Sequence, residues 1–163
     1  QKTYKPSKAR IIQCENKATA KKALKALKSG TDPEEVAQQY MIDSATYSGK
    51  ETLVTTKTTD LSTRLINKLS KAKKAGVIDE VFTNESSGNT YAYVAVLVSN
   101  TYKDIKDEVY TTLSSDDDIT KECLVYYLKK YNFEVHDQDV FNNLKANNPK
   151  YLVSRPDLSE SDD

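Results

Sequence analysis

The stretch Ser7–Met41, SKARIIQCENKATAKKALKALKSGTDPEEVAQQYM, decides how the chain is read. Ala9 to Cys14 is a short β-run. It passes into a helix in which Ala20, Ala23, Leu24 and Leu27 fall at i, i+3, i+4 and i+7, one apolar face at helical spacing. Gly30 stops that helix. Asp32 then stands as an N-cap with Pro33 at the first helical position and Glu35 three residues on, a capping-box pattern. Val36, Ala37 and Tyr40 supply the buried side of this second helix.

The 163 residues, 37% of them hydrophobic, suffice for one ordinary domain with some attached structure, since domains commonly run to about 100–150 residues. No run of ~18 apolar residues occurs and no basic, then apolar, segment opens the sequence, so neither a membrane span nor a signal peptide is expected within it. Cys14 and Cys123 lie far apart without CxxC spacing, and His136 is the single histidine. That excludes the common Cys/His zinc sites and leaves a Ser/His/Asp or Cys/His nucleophile unsupported, so no metal and no cofactor are expected. Both cysteines are expected as small buried apolar side chains, with a Cys14–Cys123 disulfide as the alternative.

A net charge of zero hides a division. Residues 1–76 hold 16 Lys and Arg against 7 Asp and Glu, a balance of +9, and the remainder carries −9. Such asymmetry suits an anionic partner, a lipid surface or a wall polymer among them, although lysines on outer helix faces usually mean a solvated surface. No RNP-like pattern, phosphate loop or zinc finger points to nucleic acid, and none is expected as a partner.

The remaining chain alternates in type. Residues 1–8 are a polar lead-in. Between Ile42 and Thr59 the composition turns to Ser, Thr, Gly and Lys around a β-run near Leu53–Thr55, which implies a loop crossing the sheet, where sites tend to lie. Asp60 is expected to cap a helix striped by Leu61, Leu65, Leu69 and Ala72. Val77–Thr83 and Tyr91–Val98 are β-runs joined by the turn-rich Asn84–Asn89, and the second, apolar on both faces, is expected to be central. A helix near 103–113 and a stronger one at Asp118–Tyr131 follow. The stronger helix is capped through Ser115 and Asp116, and its wide stripe of Ile119, Cys123, Leu124, Tyr127, Leu128 and Tyr131 needs a partner. Asp137 caps a short last helix, and 151–163 read as a disordered acidic tail.

On these residues the chain resembles the parvulin-type peptidyl-prolyl isomerases, and within them the PrsA foldases, extracytoplasmic lipoproteins of Gram-positive bacteria. The family segment G-x-D-F-x-x-L-A-x-x-Y-S is similar to Gly30–Met41 here, with Pro33 and Met41 as departures, and the match runs on through Ile42–Ser44, Gly49–Leu53 and Gly76–Ile78. The resemblance implies an α+β fold, a small antiparallel sheet surrounded by helices over residues 9–100. It also implies a C-terminal helical segment of a foldase chaperone domain over 101–150, whose N-terminal counterpart lies upstream of Gln1.

A parvulin site surrounds a prolyl peptide with two inward histidines, a Cys or Asp, and an apolar pocket. Rotation about X-Pro faces an amide barrier of ~18–20 kcal/mol, which a site lowers by desolvating and twisting the bond. Carried over by position, the first histidine falls on Ile11, the catalytic carboxylate on Asp43, the pocket on Leu53, Leu61 and Leu65, and the last-strand histidine on Tyr93 or Tyr91. Both imidazoles are therefore replaced. The resemblance implies a foldase with a degenerate site of low or no isomerase activity, acting on unfolded or partly folded secreted polypeptides and their proline-containing segments. Its implied place is the outer face of the cell membrane, held by a lipid anchor on an upstream N-terminus. Two other readings stand beside it: an active isomerase using Asp43 and Tyr93, and a cell-wall or membrane-surface binding module. Client proteins and oligomeric state are not legible.

Overall fold

The computed structural model describes residues 4–86 and 88–155, so residues 1–3 of the lead-in and 156–163 of the acidic tail lie outside the described residues. Its elements run β1 (Ser7–Cys14), α1 (Lys17–Lys28), α2 (Pro33–Tyr40), β2 (Ser48–Val54), α3 (Thr63–Lys71), β3 (Gly76–Val77), β4 (Phe82–Ser86), β5 (Asn89–Ser99), α4 (Tyr102–Ser114), α5 (Asp117–Lys130) and α6 (Gln138–Asn147). The chain divides into two compact units, Gln1–Val109 and Tyr110–Asp163, with the division falling within α4.

The first unit is an α+β body on one antiparallel sheet. The order is β2-β1-β5-β3, with β4 also paired to β5. β5 is the central strand that its two apolar faces demanded, bonded to β1 along one edge and to β3 and β4 along the other. Period-two alternation then makes two cores. On one side Ile12 and Cys14 of β1 and Ala92 and Val94 of β5 pack under α1 and α2, which contribute Ala20, Ala23, Leu27, Val36 and Ala37. On the other, Ile11, Tyr93, Ala95 and Leu97 pack under α3 through Leu65, Ile66 and Leu69.

Local chemistry sets the helix ends. Asn16 caps α1 by accepting from Thr19 N, and the Asp32 carboxylate accepts from Glu34 N at 2.8 Å, with Pro33 at the first position of α2. Asn100 donates to the carbonyls of Leu69, Ser70 and Ala72 at 3.0, 3.3 and 2.9 Å, closing the end of α3. Of these acceptors the Leu69 carbonyl also takes the Ala72 N–H, at 3.4 Å. Asn100→Ala is expected to destabilise the unit by about 2 kcal/mol, read from urea unfolding.

Several boundaries differ from the sequence expectation. β1 starts at Ser7, because Ser7 and Lys8 pair with Val54 and Leu53. β2 is a seven-residue edge strand rather than a brief run in a loop. The run Val77–Thr83 is split, with β3 ending at Val77 and β4 starting at Phe82, and the pairs Asn84–Tyr91 and Glu85–Thr90 carry the hairpin well into the expected turn. Ser62, not Asp60, caps α3, its hydroxyl accepting from Leu65 N.

Charges on the β1–β2 edge are interlocked. Lys8 Nζ lies 3.1 Å from Glu51 and 2.6 Å from Glu108, and Arg10 bonds Glu34 and Glu51 at 2.9 and 3.1 Å. The hydrogen bonds from Lys8 hold the Glu51 and Glu108 carboxyls below the ordinary value of 4.5. On acidification the unfolded chain therefore takes up protons first, so this stabilisation is complete above pH 4.5 and is lost as pH falls through the lowered folded values. The thermal midpoint is expected to drop below that pH, and to drop less in Lys8→Gln, as followed by circular dichroism against pH.

The second unit holds the end of α4 with α5 and α6. Asp116 caps α5 through Asp118 N and Ile119 N, and Asp137 caps α6 through Asp139 N and Val140 N. α5 and α6 each pack on the 3-10 turn Pro149–Tyr151, and Leu152 behind it is buried. No residue of α5 is buried. Both cysteines are free, Cys14 buried and Cys123 exposed, so neither the disulfide nor a second buried cysteine is found. Of the stripe that carries Cys123, Ile119 and Leu128 are half-buried, whereas Cys123, Leu124, Tyr127 and Tyr131 are exposed.

Candidate functional site

The residues singled out from the sequence divide into three groups. Ile11, Leu61, Leu65 and Tyr93 come together in the core beneath α3, with Tyr91 packed partly buried against them. Leu53 does not join them: its neighbour Val54 enters this core, and strand alternation turns Leu53, paired with Lys8, to the other side of the sheet. Asp43 is exposed in a turn closed by Ala45 N donating to Ile42 O at 3.0 Å.

Gln13 holds the segment carrying Asp43. Ile42 N donates to Gln13 O at 3.1 Å, Gln13 N to Tyr47 O at 2.9 Å, and the buried side-chain oxygen of Gln13 accepts from Thr46 N at 3.0 Å. A buried amide with this many partners works as a clamp, which fixes where Tyr47 enters the core. The Tyr47 ring meets Tyr93 edge-on, centroids 6.1 Å apart at 79°. Its hydroxyl donates to Asp60 Oδ1 at 2.8 Å, and Asn84 Nδ2 donates to Asp60 O at 2.9 Å.

The polar centre beside Ile11 is thus a Tyr47–Asp60 pair with Tyr93 and Tyr91 nearby, where the resemblance implies imidazoles. Burial, reinforced by Asp60, pushes the Tyr47 hydroxyl far above its ordinary value, and burial with the Asp60 charge raises Tyr93 as well. Both stay protonated near neutrality, able to donate a hydrogen bond but not to act as bases. Cys14, on the opposite face, is pushed up to about 11 by burial and is no nucleophile. His136 sits exposed in the second unit, 3.8 Å from Glu134.

Tyr47, Asp60 and Gln13 were not singled out from the sequence. Tyr47 carried a signal, an aromatic residue alone in a polar loop between Asp43 and Gly49. Asp60 was masked by its position, since an acid ahead of a helical stripe reads as a cap. Ser62 two residues later competes for that role and wins it, which releases Asp60 for Tyr47.

Sheet order, the two cores and the loop clamped over the end of β1 define the class: an α+β domain built on one antiparallel sheet, followed by a helical segment. The chain is similar to the solved foldase protein PrsA from Streptococcus pneumoniae str. Canada MDR_19A, at 22% identity and a TM-score of 0.47, covering 85% of this chain and 55% of that one. It is similar also to PrsA from Bacillus subtilis (22%, 0.44, 83% and 53%) and to the peptidylprolyl isomerase PrsA from Bacillus anthracis (22%, 0.40, 83% and 64%). The chain therefore spans less than two thirds of the length of each of these three. No protein-family model and no curated protein matches it.

Proposed function

We propose that the chain works as an extracytoplasmic foldase of the PrsA type. It holds extended, proline-containing segments of secreted polypeptides at the outer face of the cell membrane, with little or no X-Pro isomerisation. One observation supports the second clause: Ile11 and Tyr93, onto which the resemblance carries the family's imidazoles with Tyr91 as the alternative for the second, are 0% and 3% exposed inside an apolar cluster. A side chain so enclosed cannot meet a prolyl amide, and nothing at these positions shuttles a proton or polarises a carbonyl.

The holding clause draws on the second unit. Leu124, Tyr126, Tyr127 and Tyr131 of the α5 region are exposed, as is Phe133 beyond it, and Tyr127 stacks on Tyr131 with centroids 6.3 Å apart. An aromatic apolar surface of this kind suits unfolded chains, whose apolar side chains and proline rings pack on it without a fixed sequence. Two measurements test the proposal together. The chain is expected to suppress aggregation of a chemically denatured secreted protein, seen by light scattering, while leaving a protease-coupled X-Pro peptide assay unaccelerated. Acceleration abolished by Asp43→Ala would establish the active-isomerase reading instead, and strongly salt-dependent binding to anionic surfaces without any effect on aggregation would favour a surface-binding module.

A further inference from the structure

Where α3 ends and β3 begins, an open cleft of about 630 Å³ is lined by Lys68, Lys71, Lys73 and Lys74 together with Val77, Ile78 and Asp79. None of the candidate site residues Ile11, Asp43, Leu53, Leu61, Leu65, Tyr91 and Tyr93 lines it. We propose that this cleft binds an acidic segment of a polypeptide, Lys71, Lys73 and Lys74 meeting its carboxylates and Val77 and Ile78 packing on its aliphatic stems. The inference does not depend on the foldase reading.

Charge accounting comes first. Asp79, the one acid in the lining, is taken by Lys28 at 2.7 Å, and Glu80 beside the cleft is shared by Arg64 and by Lys68 at 3.3 Å. Lys71, Lys73 and Lys74 are exposed and have no carboxylate partner among the described residues. Three ammonium groups thus crowd a concave surface whose own acid is already neutralised. Lysines near a helix end commonly serve its dipole, but Lys73 and Lys74 lie beyond α3, and its last carbonyls are held by Asn100. The same three hydrogen bonds pin the turn that carries the lysines.

The lining also indicates which kind of anion. It contains no aromatic ring on which a base could stack, which disfavours a single-stranded nucleic acid. β3 closes the path β2-β1-β5-β3, so its outer main-chain groups have no strand neighbour among the described residues. An extended polypeptide can bond to such an edge while its side chains reach the lysines.

The experiment titrates the chain against a fluorescein-labelled peptide of alternating Glu and Ala, read by anisotropy at low and high salt. Binding is expected to weaken with salt, and to fall about tenfold or more when Lys71, Lys73 and Lys74 are all replaced by Glu. The equal charge reversal of Lys17, Lys21 and Lys22 on α1 is expected to change it less than about twofold. Should the triple variant lose its thermal transition, Lys73→Ala with Lys74→Ala reads the same site through a smaller loss. No binding, equal loss in the two triple variants, or equal binding of a Gln and Ala peptide would overturn the proposal. Displacement of the peptide by inorganic polyphosphate at a lower concentration than by unlabelled peptide would assign the cleft to phosphate chains and overturn it too.

Discussion

Gly49→Ala is expected to destabilise the sheet unit by about 3 kcal/mol, the sum of backbone strain and a steric clash. Arg10 pairs with Glu51 and Ile12 with Ser48, so Gly49 and Lys50 of β2 together lie opposite Ile11 alone, a β-bulge. At the bulge Gly49 has φ +80°, and a Cβ there would stand 2.7 Å from Pro33 O and 2.9 Å from Ala37 Cβ. α2 lies directly against β2 at this point, and neither a main-chain carbonyl nor a buried Cβ swings aside. Gly30 supplies the comparison: it has φ +92° and nothing within 4 Å of an added Cβ. Gly30→Ala is therefore expected to show the strain alone, about 1–2 kcal/mol. Urea unfolding of the two variants separates the terms, and equal losses would mean that α2 yields to the new methyl.

Ile11→His, which places at position 11 the imidazole that the proposed resemblance would put there, is expected to destabilise the unit by about 3–5 kcal/mol without producing isomerase activity. The loss combines the buried aliphatic side chain with a polar ring placed among Leu61, Leu65 and Ala95. It should deepen on acidification. Enclosure lowers the folded pKa of the imidazole below its ordinary ~6.5, so the unfolded state binds the extra proton and stability falls as pH drops through that value. Denaturant unfolding at mildly alkaline and mildly acidic pH checks both size and sign. A loss below about 1 kcal/mol would mean that position 11 has the room and polar partners of a working site, and the foldase-without-turnover reading would then fail.

The clarity of each region in the sequence followed the range of the interactions that shape it. α1 and α2 were legible because their signals are local: apolar residues at helical spacing, Asp32 before Pro33, and Gly30 after the first helix. The centrality of β5 was legible because a strand apolar on both faces can be satisfied only from both sides. β2 was not, since an edge strand of Ser, Gly, Lys and Thr has no alternation to announce it and is held by its pairing with β1. The site residues suffered most. Leu53 and Val54 are neighbours that enter opposite faces, and Asp60 carries the same letter whether it caps a helix or accepts from Tyr47.

By itself the amino-acid order determined the helices, the central strand and the α+β class, because each follows from periodicity, caps or residue type within a few positions. Tertiary structure alone decided that Ile11 and Tyr93 are shut inside a core, that Tyr47 and Asp60 form the polar pair beside them, and that four lysines share a cleft at the end of α3. The reason is geometric. Enclosure and convergence depend on strand register, on one bulge at Gly49 and on loops that cross between elements, and no local pattern encodes which distant side chains those contacts bring together.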